Sequence, residues 1–182
     1  LFFINNMVTM NTKGKRIKQL RKTINKQWSQ YFFKFIKDNT DKRWCWGYIS
    51  RNPNITIELI LDNPGKPWNW NLISWNPNIT MEIIRDNPDK NWNWPCISIN
   101  PNMTWKNIED NPDKPWYWYY ISMNPNITWD IIQDNPMKSW DWFYISVNPN
   151  ITMENVRDNL TKPWDWYRIS YNPNITMEFV RA

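Results

Sequence analysis

Paired tryptophans recur every 24 residues between residues 44 and 166, and they give the chain its most regular pattern. An Ile-Ser step follows each pair, and the segment Asn-Pro-Asn-Ile-Thr follows that step, with Met103 replacing the isoleucine of one copy. Six copies in one register predict that residues 39–182 are a tandem-repeat array. The side chains expected to form its core are Trp68, Trp70, Ile73, Trp92, Trp94, Ile97, Trp116, Trp118, Ile121, Trp140, Trp142, Ile145, Trp164, Trp166 and Ile169.

Two short helices are predicted in each repeat, separated by prolines. In the copy that starts at residue 110, Pro115 is expected at the first helical position, where its missing N–H has no intrahelical role, and helix A is predicted over residues 115–122. The following Asn-Pro step should end it. At about 100° per residue, Trp116 and Trp118 are expected on opposite sides of helix A, each covered by a neighbouring repeat.

Helix B has a clear start signal, because a threonine precedes each predicted helix and its hydroxyl can accept a hydrogen bond from a free N–H of the first turn. Asp130 lies in the first turn of one copy, where the helix dipole favours a negative charge. The predicted caps are Thr56, Thr80, Thr104, Thr128, Thr152 and Thr176.

Helices of about two turns are unstable in isolation, so the repeats are expected to stack. The predicted fold is an all-α solenoid of six two-helix repeats with an N-terminal capping helix. An alternative is an α/β solenoid like the leucine-rich repeats, because the tryptophan segment is also rich in residues that favour strands.

The first 43 residues differ from the array in charge, with a net charge of +9 against −4 for residues 44–182. Residues 1–12 are expected to be a disordered or non-native segment, and residues 13–38 a basic amphipathic helix that caps the first repeat. The sequence ends inside helix B of the sixth copy, which we expect to be a truncation or a docking end. Residues of the basic helix that are candidates for anion binding are Lys13, Lys15, Arg16, Lys18, Arg21, Lys22 and Lys26.

The composition argues against an enzyme. The chain has no histidine, which removes the commonest general base and metal ligand. Cys45 and Cys96 occupy different repeat positions, so neither a disulfide nor a metal pair is predicted. We expect no cofactor, no metal, no small-molecule substrate and no membrane span, and we expect an intracellular, soluble protein.

The array resembles the tryptophan-rich Asn-Pro-Asn-Ile-Thr tandem-repeat proteins predicted from genomes of giant DNA viruses. The resemblance covers residues 39–182. It implies a protein encoded by a virus, located in the host cytoplasm or in the virion, and it implies no catalytic residue. The departures are Asn91 and Ser139 in place of the proline before tryptophan, Pro95 within helix A, and Leu160 in place of the proline after Asn159.

Two positions vary between the copies and are candidates for a partner-binding surface. They hold Asn69, Asn93, Tyr117, Asp141 and Asp165 after the first tryptophan, and Trp75, Ile99, Met123, Val147 and Tyr171 after the serine. The leading hypothesis is a non-enzymatic scaffold that binds another protein through an extended repeat surface. The alternatives are self-assembly of a structural or virion component through the last repeat, and nucleic-acid binding through the basic helix, since the array lacks the positive charge that phosphates require.

Overall fold

A computed structural model describes the backbone of residues 2–174 and the side chains of residues 16, 17, 19, 20 and 23–174. Its residues group into two compact units, unit 1 (Leu1–Asn69) and unit 2 (Trp70–Ala182). The predicted cap Thr176 lies outside the described residues.

Unit 1 begins with α1, a helix of 37 residues spanning Phe2–Asp38. The predicted basic helix is therefore longer than expected, and the start predicted at residue 13 is wrong. Residues 2–12, which the sequence suggested as disordered or non-native, belong to the same helix because they contain no proline or glycine to interrupt it.

The C-terminal end of α1 follows the repeat register. Phe33 and Ile36 are buried, and they lie 24 residues before Ile57 and Ile60 of the first helix B. The ring of Phe33 stacks on the indole of Trp68, with centroids 6.0 Å apart. The end of α1 thus occupies the place of a helix B that precedes the first repeat, which is how it covers the apolar side of that repeat.

The remaining described helices alternate between the two predicted types. Helix A of successive repeats is α2 (Trp46–Arg51), α4 (Trp70–Ser74), α6 (Trp94–Ile99), α8 (Trp118–Met123), α10 (Trp142–Ile145) and α12 (Trp166–Ile169). Helix B is α3 (Ile57–Leu61), α5 (Met81–Asp86), α7 (Trp105–Glu109), α9 (Trp129–Asp134) and α11 (Met153–Arg157).

Helix A begins at the second tryptophan of each pair, not at the proline. Pro115 and Trp116 precede α8, and the N–H of Trp116 donates to the carbonyl of Lys114 at 2.7 Å in the connecting turn. The prediction that Trp116 and Trp118 point to opposite sides of one helix is therefore wrong. The preference of proline for the first turn of a helix therefore did not determine where helix A starts. Pro115 and Trp116 belong to the connecting turn that precedes the helix.

Helix B starts where the sequence places it. The hydroxyl oxygens of five threonines accept the N–H of the residue three positions later, at 3.3–3.4 Å. These N-caps are Thr56, Thr80, Thr104, Thr128 and Thr152. In α7 and α11 the residue at the third position is asparagine, whose side-chain oxygen accepts the N–H of the cap in return.

Successive helices A pack side by side in unit 2, in the order α4, α6, α8 and α10. The isoleucine of each helix A and the isoleucine or methionine before each threonine cap are buried between them, as Ile121 and Ile127 show with no exposed surface. Residues 2–174 contain no strand. The predicted all-α repeat solenoid is confirmed, and the α/β alternative is wrong.

Candidate functional site

The second tryptophan of one repeat packs against the first tryptophan of the next repeat, edge to face. Five such pairs have ring centroids 5.0–5.2 Å apart and interplanar angles of 86–90°. They are Trp46–Trp68 in unit 1, and Trp70–Trp92, Trp94–Trp116, Trp118–Trp140 and Trp142–Trp164 in unit 2. Edge-to-face geometry suits the quadrupole of the indole ring, so each pair adds specific attraction to the burial of apolar area. We call this series the tryptophan ladder.

Each first tryptophan is also held by its indole N–H. In the fourth repeat Trp116 Nε1 donates to the carbonyl of Asn111 at 2.8 Å, and the side-chain amide of Asn111 donates to the carbonyl of Asn107 in α7. The same two bonds recur in all six copies. The asparagine at this position therefore follows the end of a helix and fixes the next tryptophan, also at Asn39 and Asn159, which no proline follows.

The serine of each helix A joins two repeats through one hydroxyl group. Ser122 Oγ donates to the carbonyl of Trp118 at 2.8 Å and accepts the N–H of Asp141 from the next repeat at 2.9 Å. Ser122 is fully buried. The hydroxyl group thus has a partner both as a donor and as an acceptor, as buried polar groups usually do.

The Asn-Pro-Asn segment forms a second joint between repeats. The side-chain amide of Asn124 donates to the carbonyls of Ser98 and Asn100 in the preceding repeat, at 2.8 and 3.2 Å. Its side-chain oxygen accepts the N–H of Asn126 at 2.9 Å, and Asn124 is fully buried. The amide of Asn126 donates to the carbonyls of Pro101 and Met103.

The same bonds recur through unit 2. The first asparagine of each copy donates to the first asparagine of the copy before, from Asn100 to Asn172. We call this series the asparagine ladder. The sequence predicted only the end of helix A and the cap of helix B at this motif, so the ladder is a structural role that the pattern did not reveal.

The repeated tryptophans, isoleucines, serines and asparagines are thus engaged in packing or in hydrogen bonds of the array. Among the predicted core side chains, Ile73, Ile97, Ile121, Ile145, Ile169 and Trp164 are buried, while Trp68, Trp70, Trp92, Trp94, Trp116, Trp118, Trp140 and Trp142 are half-buried. Trp166, in the last described repeat, is 55% exposed.

Some residues of the predicted partner surface have a structural role, and only three of the ten are exposed. Asn93, Asp141 and Asp165 are N-caps of helix A, and each side chain accepts an N–H of its first turn. They serve the fold, which the sequence alone did not show because the start of helix A was misplaced. Asn69, Tyr117 and Tyr171 are exposed, and Trp75, Asn93, Ile99, Met123, Asp141, Val147 and Asp165 are half-buried.

A cluster of aromatic side chains lies on helices α8, α10 and the residues beside them. We define the aromatic patch as Tyr117, Tyr119, Tyr120, Phe143, Tyr144 and Arg168. Tyr119 contacts Tyr120 and Tyr144 with centroid distances of 4.6 and 3.9 Å, and the hydroxyl of Tyr144 donates to that of Tyr119.

Arg168 extends the aromatic patch into the next repeat, with its guanidinium 3.8 Å from the ring centroid of Phe143. The hydrogen bond to Tyr119 is the main cause that raises the pKa of Tyr144 to about 12, with burial second. The phenol of Tyr144 therefore remains neutral at ordinary pH and keeps its hydrogen bond to Tyr119. Comparison of the two positions after the second tryptophan shows that these two copies are aromatic where earlier copies hold Asn71, Leu72, Pro95 and Cys96, but it does not show that the rings meet.

Three of the lysines that precede a tryptophan pair lie over an indole of the preceding repeat. Lys66, Lys138 and Lys162 place their ammonium groups 5.8–5.9 Å from the ring centroids of Trp46, Trp118 and Trp142. These cation–π contacts occupy ring surface that a stacked base would need. Of the candidate anion-binding residues, Arg16 and Lys26 are exposed on α1, and the side chains of Lys13, Lys15, Lys18, Arg21 and Lys22 are outside those described.

The described residues contain no group of three metal-ligating side chains, and no disulfide joins Cys45 and Cys96. Comparison with protein-family models, with curated proteins and with solved structures finds no match. The site is therefore defined by its own geometry alone.

Proposed function

We propose that the protein is a non-enzymatic scaffold that binds another protein through the aromatic patch. The observation that supports this proposal is that different side chains of unit 2 hold the repeats together and face the solvent. The repeated tryptophans and asparagines are engaged in the two ladders. The patch consists of large side chains at positions that differ between the copies, and two of them remain open to solvent, with Tyr117 49% and Tyr119 42% exposed.

The composition of the patch supports a protein partner. Tyrosine and arginine are enriched where protein surfaces contribute most of their binding free energy, because each offers a large apolar area with a polar end. Tyr119 and Tyr144 restrain each other through ring contact and a hydroxyl bond. A restrained side chain loses less entropy on binding, so the patch is preorganised.

A selection of peptides displayed on phage against the full chain tests this proposal. Peptides selected on the wild type should bind a Tyr117→Ser/Tyr119→Ser variant at least about ten-fold more weakly, as expected when two anchor side chains are lost. The matched control is Tyr48→Ser, which removes a tyrosine of unit 1 that is 79% exposed. Equal binding to wild type and to both variants would contradict the proposal.

Self-assembly is a second candidate, favoured by the last described repeat. Trp166 and Ser170 are exposed there, whereas Ser146 of the preceding repeat is fully buried beneath the next one. Each earlier repeat presents the equivalent groups to its successor, and the proposed occupant of this surface is a second copy of the chain. Sedimentation over a dilution series should then show larger species at high concentration that a Trp166→Ala variant does not form, and a monomer at every concentration argues against assembly.

A further inference from the structure

Helix α1 has an exposed apolar stripe on the side away from its buried residues. The stripe consists of side chains that are 42–69% exposed, namely Ile17, Leu20, Ile24, Trp28, Tyr31 and Phe35. At about 100° per residue these six positions fall within a sector of roughly 80°, as in an amphipathic helix. The buried residues Ser29, Phe33 and Ile36 lie on the opposite side.

The stripe is too long and too continuous to be incidental. Ile17 and Phe35 are separated by about 27 Å along the helix axis, at 1.5 Å per residue. The described side chains from residue 16 to residue 28 are all exposed, so none of them is covered by the packing of unit 1. An extended apolar surface of this kind marks a site of interaction with a protein or a membrane.

The charge of the helix selects the partner. Residues 13–37 contain nine lysines and arginines and no acidic residue. A second copy of α1 would bring two strongly basic helices together, which like-charge repulsion opposes. A nucleic acid would complement the charge but would leave the aliphatic side chains without an apolar environment.

An anionic lipid surface satisfies both properties of the helix. Its headgroups attract the basic side chains, and the boundary of its acyl chains accepts Leu20 and Ile24. Trp28 and Tyr31, whose rings contact each other edge to face at 6.2 Å, suit the headgroup level, where amphipathic aromatic rings concentrate. No helix in the part of the chain that the structure describes is long and apolar enough to cross a membrane.

We propose that α1 lies in the plane of an anionic bilayer surface and inserts its apolar stripe between the headgroups. The attachment is peripheral, and it does not depend on the proposed scaffold function of the aromatic patch. The helix side that carries Phe33 and Ile36 remains on the first repeat, so binding requires no unfolding of unit 1.

Flotation of the full chain with lipid vesicles tests the proposal. The protein should float with vesicles of phosphatidylcholine and phosphatidylserine and remain unbound with phosphatidylcholine alone. A Leu20→Gln/Ile24→Gln/Trp28→Gln variant keeps every charge and uses a residue compatible with helices. Its partition onto the anionic vesicles should fall by at least about ten-fold.

A second variant tests the electrostatic contribution to binding, and a control variant tests whether the effects are specific to α1. Arg16→Gln keeps the stripe and should weaken partition by about five-fold, since each basic residue near the surface adds to the attraction. Tyr48→Gln, a change of an exposed tyrosine of unit 1 outside α1, should bind like the wild type. Circular dichroism and urea unfolding establish that all variants are folded.

Three results would overturn the proposal. The first is equal partition of the wild type and the triple variant, which would mean that charge alone explains binding. The second is a dimer, detected by sedimentation, that the triple variant abolishes while the wild type binds no vesicles. The third is tighter binding to a DNA or RNA duplex than to vesicles, with no loss in the triple variant.

Discussion

The asparagine ladder and the tryptophan ladder both join successive repeats, but they do so by different physics. Asn124 is fully buried and uses its amide hydrogens and its oxygen in directed bonds to backbone groups. Trp118 is half-buried and meets Trp140 through ring packing. Directed bonds fix the register of the repeats, whereas ring packing contributes apolar burial that tolerates small changes of shape. A conservative substitution should therefore destabilise the asparagine joint far more than the tryptophan joint.

The largest effect is expected from Asn124→Asp, which hardly changes the volume of the side chain. The carboxylate would face the carbonyls of Ser98 and Asn100 in place of an N–H donor, and a buried charge without a partner is strongly destabilising. The free energy of unfolding, measured with urea, should fall by about 4 kcal/mol.

Asn71→Asp is the matched control for this change. Asn71 is exposed, and its side-chain oxygen accepts a bond from Asn93, a role that a carboxylate retains. Its unfolding free energy should stay close to that of the wild type. Similar losses in both variants would mean that the buried asparagine has no special importance for the joint.

Trp118→Ala should have the next largest effect, because it removes ring contacts with Trp105 and Trp140 and leaves a cavity between repeats. A loss of about 3 kcal/mol in unfolding free energy is expected. Trp118→Phe keeps an aromatic ring and should lose only about 1 kcal/mol. If the phenylalanine variant is as unstable as the alanine variant, the ladder depends on indole geometry and not on general packing.

Ser122→Ala should lower the unfolding free energy by about 2 kcal/mol, because the buried carbonyl of Trp118 and the N–H of Asp141 both lose a partner. Ser170→Ala is a control with the same sequence motif. Ser170 is exposed and donates to the carbonyl of Trp166, so its replacement should cost about 0.5 kcal/mol. Equal values would show that the bond to the next repeat contributes nothing.

The smallest effect on stability is expected from the hydrogen bond between the phenols of Tyr144 and Tyr119. The folded pKa of Tyr144 is raised from 10.0 to about 12, so the contribution of this group to stability is complete below pH 10 and is lost as the pH rises through about 12. Absorbance titration of tyrosinate should show one late phenol that shifts toward pH 10 in Tyr119→Phe. Tyr48→Phe should leave that late phenol in place.

Much of the fold could be predicted from the sequence because the signals are local. The caps of helix B are read from a threonine and the residues that follow it, and the period is read from the spacing of Trp116 and Trp140. The capping role of α1 also follows from its pattern. The register that places Phe33 at the position of Ile57 could have been found by extending the 24-residue frame toward the N terminus.

The joints between repeats could not be predicted in the same way. The bond from Asn124 to Ser98 spans 26 residues, and the bond from Ser122 to Asp141 spans 19. A repeat period shows that such residues are equivalent but does not show which atoms of adjacent copies meet. The aromatic patch was missed for a related reason, because its residues become neighbours only after α8 and α10 pack side by side.

The asparagine ladder also gives the array a direction. Each repeat offers amide donors toward the copy before it and carbonyl acceptors toward the copy after it, as Asn124 does between Asn100 and Asn148. An in-frame duplication or deletion of one complete repeat therefore recreates a junction that already fits. Such a protein can change its length during evolution by whole repeats without redesigning any interface, while the tyrosines of individual copies diverge independently.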